Sequence, residues 1–407
     1  MRRILAFTKR VGPLAAGLVI GQAVLYVCTP VLSRLYGPEA FGRAQLFLAV
    51  MSIVATLATL RFETQIAKAD DDDAIRAARI ALIAAALIST AAVPCFRLVT
   101  GEWVVSLLLA GSILAMAVTL VLTQYAARNE QLNALAVSKA VQGSLQAGVP
   151  LGAAGPLRGI GLELGIGVSY AAAATIQVFG LHEARRIFRI KFKLSLRRFF
   201  HVRLRTALTL TLSAGANVLV VWNAPVVIES LSGAREVGLA AMAQRMVAVP
   251  IGILVAAIAP VVIGWVARKL RLGEDPIGPL KALFFPLSIG GLVIVGVLVA
   301  IPDHVWSSIL GNEWTGVGRY LAAYAPYIYG LILVGPFGQL IAVFGRSRVQ
   351  LLWDVSRLGA ILLVAFFATI QGWSAIVYLW WANGILCAFY IIYVVILLPE
   401  IRPARQG

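Results

Sequence analysis

The sequence predicts an all-α polytopic membrane protein with about twelve transmembrane helices. Of 407 residues, 60% are hydrophobic and only 13% charged, with a mean hydropathy of +0.89; soluble chains carry roughly a quarter charged residues. Apolar runs of the ~20 residues needed to cross a bilayer recur from residue 13 almost to the end. Lys and Arg number 35 against 18 Asp and Glu, a net charge of +17, and they gather in alternate loops. These features exclude a soluble enzyme, a disordered chain and a disulfide scaffold. Nucleic acid is not an expected partner, because the chain has no soluble basic domain, and cytoplasmic loops of membrane proteins accumulate Lys and Arg.

The expected spans lie near 13–33, 42–62, 75–95, 103–126, 135–154, 159–181, 206–228, 238–266, 281–301, 319–344, 350–370 and 374–398. The first follows Arg2, Arg3, Lys9 and Arg10, as in a signal peptide, but it runs about 20 residues without a small-x-small cleavage site. It therefore reads as a span. An even number of spans puts both termini on one side. Counted by loop, that side holds roughly 27 Lys and Arg, Arg128 and Lys139 among them, against 6 on the other, which makes it cytoplasmic. The polar stretch 182–205 interleaves basic residues with Ile187, Phe188, Ile190 and Phe192, a pattern suited to an anionic membrane surface. It divides the chain into an N-terminal six-helix lobe (1–181), a basic cytoplasmic linker (182–205) and a C-terminal six-helix lobe (206–407). The halves echo each other: TPVLSRLYGPEAFG (29–42) and APVVIESLSGAREVG (224–238) share a Pro-Val, then a Leu-x-Gly, then a glycine five residues on. Six spans apart, the two copies make a parallel repeat.

Cys28, Cys95 and Cys387 are scattered, as are His182, His201 and His304, so neither a metal nor a disulfide framework is expected. No cofactor motif occurs. There is no Walker loop, no GxSxG and no outer loop large enough for a catalytic constellation, so no catalytic residue is assigned and the chain is expected not to be an enzyme.

The segment PVLSRLYGPEAFGRAQLFLAVMSIVATLATLRFETQIA (30–67) resembles the first helical hairpin of bacterial polysaccharide exporters, with Pro-x-Leu-[ST]-Arg-Leu-Tyr-x-Pro-x-x-Phe-Gly followed by Arg-Tyr/Phe-Glu. Residues 233–269 and 309–358 are similar to later parts of the same family. The chain departs from it where Glu313-Trp314-Thr315-Gly316 replaces an Ala-Gly pair, and at Gln244-Arg245. The resemblance implies the multidrug/oligosaccharidyl-lipid/polysaccharide exporter fold, two six-helix lobes around a central cavity. It further implies a flippase that moves undecaprenyl-diphosphate-linked oligosaccharide (O-antigen, capsule or exopolysaccharide repeat units) across the bacterial cytoplasmic membrane by alternating access. The implied partners are that lipid-linked oligosaccharide, membrane lipids, a polysaccharide polymerase and glycosyltransferases, with the protein itself a monomer. The alternatives are a drug/cation antiporter of the same superfamily and a membrane polymerase or ligase. A cation exporter needs acidic cavity residues, whereas intramembrane charge here leans to arginine.

For such a cargo, arginine is the suited residue, permanently charged and able to fork onto phosphate oxygens. Charge at membrane depth is costly and faces a cavity or a partner. Arg245, within span eight, is the leading candidate; its alternative is a structural pair with Glu229 or Glu163. Arg61 and Glu63 sit at the end of span two, where snorkelling to headgroups is the alternative. Arg34 ends span one as ligand or interfacial anchor. Glu163, one turn into span six, is a candidate for proton coupling or a polar contact at the membrane edge. The amides Gln22, Gln142 and Asn217 are candidates for sugar hydroxyls, with helix-to-helix hydrogen bonds as the equal alternative. Asp354 and Arg357, three apart, are expected to pair. Trp103, Trp306, Trp314, Tyr320, Tyr324, Tyr327, Tyr329 and Trp373 are expected to form an outer interfacial belt.

Overall fold

The computed structural model describes residues 2–129, 131–155, 157–181, 195–271, 277–338 and 347–400, with Ala184, Ile187 and Leu340. Most of the expected linker therefore lies outside the described residues. The chain divides into two compact units, Met1–Trp222 and Asn223–Gly407.

The first unit begins with α1, Arg2–Ala58, which carries two expected spans. They join at Gly37, whose φ of 69° and ψ of 170° interrupt the helix; only glycine adopts such a conformation cheaply. After a 3-10 turn, Phe62–Lys68, come α2 (Asp71–Ala91) and α3 (Val93–Thr100). The unit continues through α4 (Trp103–Arg128), α5 (Leu132–Gly152) and α6 (Gly161–Gly180). The helix α7, Ser195–Ser232, crosses the division of the chain.

Helices α1 and α5 meet almost backbone to backbone. A Cβ on Gly21 would stand 2.6 Å from the Lys139 carbonyl oxygen, one on Gly17 would strike the Ala136 carbonyl, and one on Gly143 would strike Gly21. Such small residues let membrane helices pack closely where the hydrophobic effect gives no help. Elsewhere in this unit Phe62, Ile66, Ala78, Leu122, Tyr125 and Ala207 form a buried cluster.

The second unit contains α8 (Ala234–Arg271), α9 (Ile277–Ala300) and α10 (Asp303–Leu310). It ends with α11 (Val317–Val334), α12 (Ser347–Gln371) and α13 (Ala375–Glu400). Gly233, with φ 84°, breaks the chain between α7 and α8, so the two glycines of the sequence echo, Gly37 and Gly233, take the same left-handed φ. Helix α11 packs against α8, α9 and α13. Tyr320, Tyr324, Ile328 and Ile332, four residues apart, are all buried, as a helical stripe requires.

Eight helices among the described residues are long and apolar enough to cross a membrane, and a pair bent by 76° (Phe284–Ala300 with Asp303–Leu310) makes nine. Among the described residues the twelve expected segments fall mainly on helices, but α1 counts once for two of them, and α5, with Lys139, Gln142 and Gln146, and α8, with Arg245, are not among the eight or nine. Exposed faces are apolar: Phe285, Ile289, Leu292 and Val293 on α9, and Leu362, Leu363, Phe366 and Phe367 on α12. In water such faces would associate; in a bilayer they meet lipid. The chain is a multi-pass membrane protein.

Two expectations are corrected. Span two does not continue to residue 62, because Leu60 (φ 49°) and Arg61 (φ 54°) turn left-handed and send Phe62 and Ile66 into the buried cluster. The aromatic belt also fails in part. Trp103 is exposed, but Trp314, Tyr320 and Tyr324 are buried inside the second unit, and the Tyr320 hydroxyl donates to the Glu236 carboxylate.

Candidate functional site

The expected site residues separate by unit. Gln22, Arg34, Arg61, Glu63, Gln142, Glu163 and Asn217 belong to the first, and Arg245 to the second. Arg245 is the twelfth residue of α8, about 16 Å along the axis from its start at 1.5 Å per residue. The expected span begins at 238, so the residue lies about 10 Å inside it. Its side chain is half-buried.

Arg61 and Glu63 come together. Arg61 Nη1 stands 3.1 Å from Glu63 Oε1, and Glu63 is 1% exposed. The pair sits on the left-handed turn, a conformation that costs a non-glycine residue about 1–2 kcal/mol. Local bonds hold it: the Thr64 hydroxyl donates to the Arg61 carbonyl at 2.7 Å. Arg128 donates to the carbonyls of Ile66 (2.9 Å) and Ala69, and to Asp71 Oδ1 at 2.6 Å. Burial pushes the Glu63 carboxyl above the usual range, while Arg61 pulls it back. The Gln65 amide and Arg61 Nε are buried without a hydrogen-bond partner among the described residues. This is an ion pair in a fixed turn, not a pair of snorkelling side chains.

The other candidates stand apart from this turn. Arg34 is exposed, three residues before the break at Gly37. Glu163 is buried in the first turn of α6. Asn217 is exposed on α7, and Gln22 half-buried on α1 beside the contact with α5. Gln142 is buried; its Oε1 accepts from Lys139 Nζ at 3.1 Å, and its side chain bonds the Tyr170 hydroxyl of α6. One helical turn away, Gln177 Nε2 donates to Ser138 Oγ at 3.0 Å. Gln142 thus makes one bond within α5 and one to α6.

Lys139 belongs with these residues, although the sequence places it among the loop cations. Its spacing of three from Gln142 places the two side chains on one face of α5. In the second unit Asp354 and Arg357 pair at 3.4 Å, both 4% exposed, with the guanidinium 4.2 Å over the Trp353 ring. That buried pair matches the spacing argument. No group of three His, Cys, Asp or Glu among the described residues could hold a metal ion.

The profile of the family described as polysaccharide biosynthesis protein matches residues 7–268. The chain belongs to that family. No curated protein matches it significantly. Among solved structures, it is similar over 98% of its length to all of a multidrug-resistance MATE family transporter of the MOP superfamily in its inward-facing conformation, at TM-score 0.64 and 13% identity. It resembles the Vibrio cholerae MATE transporter VcmN at TM-score 0.60 and 15% identity, over 96% of this chain and 95% of that one. It likewise resembles a MOP superfamily transporter from Pyrococcus furiosus at TM-score 0.60 and 12% identity, covering 98% and 97%. For the Pyrococcus protein, the reverse polarity of its binding pocket is described as suggesting a different function. At these identities the likeness shows the fold, and this family member has the fold of MOP superfamily transporters.

Proposed function

We propose that the protein is a flippase that carries undecaprenyl-diphosphate-linked oligosaccharide repeat units across the bacterial cytoplasmic membrane by alternating access, with both termini cytoplasmic. The observation that carries this reading is Arg245, a half-buried guanidinium within the expected span of α8 of a polysaccharide biosynthesis family member. The barrier to flipping is the diphosphate and its sugars, which hydrocarbon excludes. A guanidinium at that depth offers the diphosphate a planar fork of donors while the polyprenyl tail stays in lipid. Arg61 and Glu63 supply a second polar point in the first unit, and Arg34 lies at the surface near the Gly37 break. Protons, polymerase and glycosyltransferases enter as coupling and partners in this reading. The reverse-polarity pocket named for the Pyrococcus protein favours the view that the fold is compatible with a cargo of either charge.

Deleting the gene tests it. Lipid-linked repeat units should accumulate on the cytoplasmic leaflet while their synthesis continues, as read by leaflet-specific labelling of the sugars. Normal delivery to the outer leaflet, or failure to form the units at all, defeats the proposal.

A further inference from the structure

We infer that Lys139, oriented by Gln142, is an anion-binding position of the first unit and takes a phosphate-bearing head group; this deepens, and rests on, the flippase reading. Lys139 is the eighth residue of α5, about 10 Å along the axis from its start. An ammonium packed within a helix bundle in a membrane normally has a carboxylate partner or snorkels to the nearer surface. Lys139 does neither. Its Nζ donates to Gln142 Oε1 at 3.1 Å, and Gln142 lies one turn further along α5, away from the helix start. The amide orients the ammonium without neutralising it.

The surrounding groups leave that charge unbalanced. Among the described residues the ammonium's partner is the Gln142 amide, and no carboxylate pairs with it. On α6 the facing groups are the Tyr170 hydroxyl and the Gln177 amide; the carboxylate of that helix, Glu163, lies seven residues from Tyr170, about 10 Å along the axis. On α1 the facing surface is the backbone around Gly17 and Gly21. Glu63 is already paired with Arg61. The side chain remains half-buried, not sealed. A fixed, partly accessible cation with an amide beside it and no counter-charge among the described residues suits a phosphate, which brings negative charge and acceptors together. The close α1–α5 packing keeps its backbone from shifting when the anion arrives.

The test uses the full chain in nanodiscs of zwitterionic lipid, titrated with inorganic pyrophosphate or with undecaprenyl diphosphate and followed by intrinsic tryptophan fluorescence. Lys139→Gln should bind undecaprenyl diphosphate about ten- to hundredfold more weakly, the loss of one charge-assisted contact. Lys139→Arg should bind nearly as the wild type. Lys139→Cys should bind weakly and recover after aminoethylation restores the amine, a rescue that a folding defect would not show. Lys139-dependent binding of pyrophosphate alone would place the specificity in the phosphate; binding of only the lipid form would place it in the lipid-linked head group. Either supports the inference. Unchanged binding of both probes in Lys139→Gln overturns it. If the wild type flips its cargo but binding ignores Lys139, this inference alone fails. If binding depends on Lys139 but no flipping occurs, the flippase reading fails instead.

Discussion

At Arg245 two roles give opposite mutational signatures. If the guanidinium holds diphosphate, geometry counts as well as charge, because lysine lacks the planar fork. Arg245→Lys should then slow flipping, and Arg245→Ala should lose roughly ten- to hundredfold in cargo affinity, about 1.5–3 kcal/mol, with normal protein levels. If it balances Glu229, alanine strands a buried acid and lowers the protein level, and Glu229→Gln should rescue it. Protein level measured beside flipping rate decides between them. Composition and pattern expose Arg245, since an arginine inside an apolar run stands out. Lys139 stands out less, because it lies only seven residues from the helix start and is easily taken for a loop cation. The Arg61–Glu63 pair is legible as a motif, but not as an ion pair on a left-handed turn. Two adjacent non-glycine residues with positive φ leave no mark in composition; the surrounding buried cluster imposes them.

Helix positions are the most legible layer. Among the described residues every expected apolar segment lies mainly on a helix, and the paired glycines of the echo mark where two helices break, because Gly37 and Gly233 both carry positive φ. Helix ends and faces are less legible. Trp314 and Tyr320 resemble interfacial anchors because aromatic residues serve both belts and cores, and only packing tells the two apart. The α1–α5 contact is equally hidden, as glycine spacing alone does not name a partner helix. That contact makes a sharp prediction. Gly17→Ala should force the two backbones apart and lower stability by about 1–3 kcal/mol, the usual cost of overpacking, whereas Gly148→Ala on α5, with open space around it, should be nearly silent. Thermal unfolding of the two variants in detergent checks the contrast. Equal midpoints would mean that the contact is not tight.

For the whole molecule the distribution of basic residues sets the orientation. A reporter active only in the cytoplasm should work when fused after Gln406 and fail at Gly155 or Gly311; activity at either of those two sites would break the twelve-span map. The fold class is readable because a bilayer restricts spanning backbone to helices and closed barrels, and runs of this length and apolarity select helices. The approach of Gly17 and Gly21 to α5 at Ala136, Lys139 and Gly143 also sets a schedule for biogenesis. The two halves of that contact lie on the order of 120 residues apart in the chain, so at roughly 5–20 residues per second α1 waits ~6–25 s for α5 to be synthesised. Throughout that interval its glycine face lies bare in the membrane or against the insertion machinery. Slowing elongation between residues 21 and 143 lengthens that wait, and the first unit closes only when α5 arrives.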